Sequence, residues 1–263
     1  VDLNRLQALE TINPKPQQPW QTSALTAIDI IEPAREKAMD KASARQKAAG
    51  IAISSDASGQ HNELGAAAVA LDQDQKILHS RQICIGSMEH WSVCAVELMA
   101  IYHAISLAYQ TAMKNQNTTA IQLKPVTILS DSVSALQAIA NVRNKSGQQI
   151  MPAITRPARE LKARGIPLRL QWVPGHSGYP GNEAADRLVK EAVGPDKRHP
   201  FRHLLSREKG YIRKRVQKEW EQEWKISKKG GHPRRVDAHE KCTVRCPEIE
   251  PTCSPNSEPA TRG

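Results

Sequence analysis

The chain has 263 residues, 39% hydrophobic and 24% charged, which supplies a core for one medium domain with extensions, or at most two small ones, and argues against wholesale disorder. Its formal charge of +10 is uneven: Lys+Arg stand at 7 against 6 Asp+Glu in residues 1–50, 13 against 11 in 51–195 and 17 against 10 in 196–263, so a basic tail, suited to a polyphosphate partner or to solvent, follows a near-neutral middle. Five cysteines (Cys84, Cys94, Cys242, Cys246, Cys253) form an odd, sparse set unlike a secreted disulfide framework; with no signal peptide visible after Val1, the expectation is an intracellular fragment of a longer open reading frame.

Residues 1–22, with Pro14, Pro16 and Pro19, read as linker, and 24–49 as a short apolar run (Ala27, Ile28, Ile30, Ile31) followed by an Ala/Lys/Arg-rich helix that stops at Gly50. From there the pattern changes. Segments 51–55, 64–71 and 76–85 read as three strands joined by short turns, an antiparallel meander. A helix is expected over 92–114, a fourth strand over 126–130, helices over 132–142 and 148–164, a fifth strand over 167–173 and a helix over 181–193. The apolar stretch from Trp91 to Met113 raises the question of a membrane span, but Glu97 inside it would be strongly unfavourable in lipid, so a buried helix and no membrane partner are expected.

This order predicts an α/β fold with a five-stranded mixed sheet, three antiparallel strands then two parallel ones, and helices on both faces. The domain is expected over 50–194, between an N-terminal linker and helical extension (1–49) and a basic tail (195–263). The tail is read as helical over 204–226, with Ile212, Val216, Trp220 and Trp224 at four-residue steps, and disordered beyond. The two tryptophans are expected to dock that helix on the domain, in preference to stacking on nucleic acid. Cys242, Cys246 and Cys253 beside His232 and His239 fit no tight zinc template.

Ligands of parallel sheets gather at the strands' carboxyl ends, and there stand Asp56 and Asp131, about 5 Å apart if their strands are neighbours. Each alone reads as a turn or capping residue; together they repel unless a cation or a shared proton intervenes. Glu97 falls on the apolar stripe of its helix (Val93, Ala100, Ile101, Ala104, Ile105, Ala108), and no Lys or Arg occurs between Arg81 and Lys114 to neutralise it. Asp186, early in the last helix of the domain, alone reads as a first-turn acid. Four converging acids would hold hard divalent cations; Mg²⁺ suits phosphate chemistry, and two such ions serve an in-line phosphodiester displacement. Spacing leaves nucleases, phosphatases and transferases open.

The run from Trp172 to Asp186 (Trp-Val-Pro-Gly-His-Ser-Gly-Tyr-Pro-Gly-Asn-Glu-Ala-Ala-Asp) resembles the last motif of type I ribonuclease H domains. Ser-Asp-Ala-Ser at 55–58, Val-Glu-Leu at 96–98 and Leu-Ser-Asp-Ser at 129–132 resemble that family's other acidic motifs, in order. The resemblance implies a ribonuclease H-like fold and metal-dependent cleavage of the RNA strand of an RNA–DNA hybrid, with two Mg²⁺ ions and Mn²⁺ as an expected substitute. It implies that Asp56 is shared by both metals, that Glu97 and Asp131 serve one and Asp186 the other, and that His176 assists proton transfer or product departure. Substrate contacts are implied at Ala57, Ser58, Ser132 and Asn182. Two departures stand out: Ala57 follows the first Asp where Gly is common, and the domain carries no basic hybrid-binding insertion. The flanks resemble the surroundings of ribonuclease H in fungal non-LTR retrotransposon polyproteins, which implies a reverse transcriptase domain as a partner in the same chain. A catalytically weak nucleic-acid-binding module is the alternative. A transposase or integrase on the same fold would need a different acidic spacing.

Overall fold

In the computed structural model, which describes residues 3–14, 25, 27–30, 35–71, 75–114, 125–191 and 199–226, six strands form one mixed sheet. In chain order they are β1 (Ala27–Asp29), β2 (Ile51–Gln60), β3 (Glu63–Leu71), β4 (Ile77–Ser87), β5 (Val126–Ser130) and β6 (Leu168–Trp172), arranged β1-β6-β5-β2-β3-β4. β2, β3 and β4 are the antiparallel meander; β5 joins β2 in parallel, and β6 joins β5 in parallel. The β2–β3 turn places His61 and Asn62 at φ 50° and 65° between the paired Gln60 and Glu63. Two consecutive left-handed residues are what a two-residue hairpin needs to match strand twist, here without glycine.

The expected five strands are six. β1 pairs in parallel with β6 at the sheet edge, Ala27 to Asp29 against Arg169 to Gln171. Three residues carry no readable period, and a strand this short is defined by its neighbour.

The helices are α1 (Leu3–Gln7), α2 (Arg35–Ala48), α3 (Val93–Lys114), α4 (Val133–Ala140), α5 (Ile150–Ala163), α6 (Pro180–Glu191) and α7 (Leu205–Ile226). α3 lies on β2 and β3 and packs against α5. Most of its residues from Ala95 to Ala108 are buried, so hydrophobicity runs round the whole helix, as expected of a core helix. It is long and apolar enough to cross a membrane, yet here Ile101, Ala104 and Ile105 are fully covered by the sheet-side core. On the opposite face, strand alternation turns Val69 towards Ala184 and Ala185 of α6, and Leu129 towards Ala42 of α2. Helices therefore cover both faces.

Residues 3–14, expected as linker, are part of the fold. Leu9 bridges His203, and the Glu10 amide donates to the His203 carbonyl at 3.0 Å. The segment 199–204, expected as tail, packs likewise: Leu204 is buried, His199 and His203 meet the edge of Trp91, and Phe201 meets Tyr102. The chain divides into two units, 1–214 and 215–263. In the second, described to residue 226, Trp220 is 58% exposed and its ring stacks on Trp224 at 5.3 Å. His232, His239, Cys242, Cys246 and Cys253 lie outside the described residues, as does the tail expected to be disordered.

Candidate active site

Two parallel strands in register create the centre of the site. Ser55 pairs with Ser130, so the next residues, Asp56 and Asp131, emerge side by side where β5 ends. α3 crosses beneath and brings Glu97 to the same point. The carboxylate oxygens of Asp56, Glu97 and Asp131 lie within 4.8 Å of one another.

Burial and mutual repulsion disfavour the charges. Burial, then the Asp131 and Asp186 charges, push Asp56 up to about 7, against a backbone N–H from Ala57 that donates to Oδ1 at 2.8 Å. Burial first, then Asp56 and Asp131, push Glu97 up to about 9. Asp131 is raised by burial, opposed by a hydrogen bond from Asn182. Glu97 Oε2 is buried with no hydrogen-bond partner. An orphaned buried carboxylate oxygen facing two further carboxylates is what a divalent cation would satisfy, with hard oxygen ligands suited to Mg²⁺ or Ca²⁺. The residues fit a metal.

The N-cap of α4 is the residue after Asp131, so the Asp131 carboxylate is not spent on capping. That residue, Ser132, accepts from the Ala135 amide at 3.4 Å, which leaves the Asp131 carboxylate to the cluster. Its surroundings fix it: Trp172 Nε1 donates to the Asp131 carbonyl at 3.1 Å, and Asn182 Nδ2 to Oδ2 at 3.2 Å. Gly175 lies so close that a Cβ there would sit 2.8 Å from Asp131 Oδ2. At the foot of α6, a Cβ on Gly181 would meet Ser54 Oγ, which explains glycine where the helix begins against β2.

Of the residues expected at the site, Asp56, Glu97 and Asp131 converge. Asp186 is outside that trio. Its charge reaches Asp56 and Asp131, but Lys190 Nζ holds its Oδ2 at 2.6 Å. His176 is exposed on the loop between β6 and α6, in the left-handed region at φ 47°. Ser58 is half-buried and Ala57 buried within β2. Asn182, expected to touch substrate, is 3% exposed and gives its amide to Asp131, because the first turn of α6 faces the sheet. Sequence reasoning missed Lys190, although its position four residues after Asp186 is the spacing of a helical ion pair. It also missed Arg35, whose Nη2 donates to the carbonyls of Gly175 at 3.2 Å and His176 at 2.9 Å; 140 residues of separation leave no local signal.

Among solved structures, the chain is similar to RNase H1 from the halophilic archaeon Halobacterium salinarum NRC-1 (20% identity over 54% of this chain and 96% of that one, TM-score 0.39). It is also similar to LC11-RNase H1 in complex with an RNA/DNA hybrid (20% identity, 54% and 96%, TM-score 0.41). A third similar structure is the foamy viral protease-reverse transcriptase in complex with an RNA/DNA hybrid (14% identity, 56% of this chain and 20% of that one, TM-score 0.43). No curated protein matches the chain. The RNase H family model matches residues 48–194, the stretch from the end of α2 past α6 that contains all four acids and the histidine loop. Because that match takes in more than half of the chain, the protein belongs to the RNase H family.

Proposed function

We propose that this protein is an endoribonuclease that hydrolyses the RNA strand of RNA–DNA hybrids with divalent metal, Mg²⁺ in the first instance and Mn²⁺ as a substitute. The observation that carries the reading is the convergence of Asp56, Glu97 and Asp131 beside the Trp172-to-Asp186 motif, with Glu97 Oε2 buried and unpartnered. Asp56, Glu97, Asp131 and Asp186 would hold two ions. Bound there, the metal supplies activation of a water and neutralisation of charge on the phosphodiester. Asn182 and Trp172 keep Asp131 aimed at the cluster. His176, exposed at its mouth, exchanges the proton or assists departure of product. Ala57, Ser58 and Ser132 are the substrate contacts of this reading. The basic excess of 196–263 adds phosphate contacts, which give affinity without sequence preference. The setting is intracellular, within a retroelement polyprotein alongside a reverse transcriptase; the resemblance of the flanks supports this part of the reading.

One observation favours a second reading, a catalytically weak binding module: Asp186 is paired with Lys190 rather than gathered with the other three. Labelled RNA–DNA hybrid, duplex RNA and duplex DNA, each incubated with Mg²⁺, Mn²⁺ or EDTA, test both. The nuclease reading expects metal-dependent cutting of the RNA strand of the hybrid alone. Equal cutting of duplex DNA, or activity that survives EDTA, sinks it. Hybrid binding without cutting by the natural chain, with cutting gained in Lys190→Ala, would establish the second.

A further inference from the structure

Helix α2 ends where the family-matched region begins, at residue 48, yet it grips the loop that carries His176. Arg35 Nη2 donates to the Gly175 and His176 carbonyls, Met39 Sδ lies 3.2 Å from Ser177 Oγ, whose hydroxyl donates to the Pro174 carbonyl at 2.6 Å, and Gln46 Oε1 accepts from the Tyr179 hydroxyl. Between them Ala42 is fully buried against Leu129, Val173 and Tyr179. Positions 35, 39, 42 and 46 are spaced as one helix face. From the other side the loop is stopped by Asp131, against which Gly175 leaves no room for a Cβ. The loop is thus wedged between the extension helix and a carboxylate of the cluster.

Two features make the grip specific rather than bulk packing. α2 buries only Ala38 and Ala42, so little apolar area holds it. It is tied back to the added strand by Arg45 and Lys41 on Asp29, at 3.1 and 3.4 Å. His176 is a non-glycine residue at φ 47°, a conformation that persists only when its surroundings over-determine it. The guanidinium holds the two carbonyls that flank the Cα of that residue, and so fixes the direction in which the imidazole leaves the loop.

We propose that α2 is a positioning element of the active site and that Arg35 is the positioning residue that holds the His176 loop in its working conformation. The inference rests on the nuclease reading, in which His176 handles a proton.

The test uses the full chain with Arg35→Ala, Arg35→Lys, His176→Ala and the Arg35→Ala/His176→Ala pair. Arg35→Ala is expected to lower kcat roughly fivefold, the scale of one ordinary solvent-exposed hydrogen bond, with KM within about twofold and Tm unchanged. Arg35→Lys, which keeps the charge and can reach one carbonyl, recovers part of the loss. In the His176→Ala background, Arg35→Ala has no further effect on kcat. Hydrogen exchange at residues 175–178 quickens in Arg35→Ala. An equal kcat loss with and without His176 would overturn the proposal, as would exchange no faster than in the natural chain. If the natural chain cuts no hybrid, the nuclease reading fails. The exchange result then decides the clamp alone: faster exchange upholds it, unchanged exchange ends it.

Discussion

Glu97 is held in its neutral form by a packed helix that offers it no counter-charge, and Asp56 and Asp131 compound the strain. All three carboxyls are raised in the folded protein, Asp56 to about 7 and Glu97 to about 9. The metal-free fold therefore binds more protons than the unfolded chain between the ordinary carboxylate range and those values. Its stability should fall as pH rises through that window. His103 works in the opposite sense: buried without a partner for either ring nitrogen, and lowered to about 3, it removes stability as pH falls below its ordinary value. We expect the Tm of the metal-free protein to decline from about pH 6 towards about pH 9, and Mg²⁺ to restore more at the upper end. Asp131→Asn removes one charge, keeps an acceptor for Asn182, and should flatten that decline while lowering hybrid cleavage by roughly a hundredfold or more. Thermal melts with and without Mg²⁺ check the first part and turnover checks the second. Near-natural turnover would show that Asp131 is no ligand.

Elements meet closely where α6 starts against β2, and that contact sets where Asn182 and Asp186 project. Gly181 and Asn182 are both buried, and the hydroxyl of Ser54 fills the space a side chain at 181 would need. Gly181→Ala should cost about 1–3 kcal/mol through overpacking, read by urea unfolding. Ser54→Ala removes the clashing oxygen and should return a large part of that loss in the double variant. The cost of Gly181→Ala undiminished in the Ser54→Ala background would mean that another contact, and not Ser54, fixes the helix. A shifted α6 also moves Asn182 away from Asp131, so Gly181→Ala should lower turnover as well as stability.

Across the whole described fold, the N-terminal strap is joined to distant parts of the chain through one carboxylate. Glu10 is 5% exposed and accepts from the Gly147 amide at 2.8 Å, the Leu205 amide at 3.0 Å, Gln149 Nε2 at 3.3 Å and the Ser146 hydroxyl. It thereby caps α7 and ties the α4–α5 connection to residues 3–14. Arg5 adds ion pairs to Glu89 at 2.9 Å and to Glu208 at 2.8 Å. Glu10→Ala leaves one buried donor, the Gly147 amide, and three half-buried ones without this acceptor and should cost roughly 1–3 kcal/mol, with Glu10→Gln costing less because one acceptor remains. Equilibrium unfolding of the full chain measures both, and a loss below about 0.5 kcal/mol would show that water replaces the carboxylate.

The residues by themselves determined the meander, the parallel crossover, the buried α3 and the three acids at its centre. Each rests on a pattern confined to one segment: alternation in β4, an acid at the end of an apolar run in β2 and β5, a carboxylate on an apolar stripe in α3. Local order also carried the Trp172-to-Asp186 motif, because that loop and helix are continuous in the chain. What only the tertiary structure decided depends on partners far away in sequence. β1 is a strand because β6 offers an edge, residues 3–14 are fixed because Glu10 finds the amides of Gly147 and Leu205, and Arg35 meets the histidine loop because α2 lands beside it. Asp186 joins Lys190 for a local reason: an ion pair one helical turn away costs no chain rearrangement.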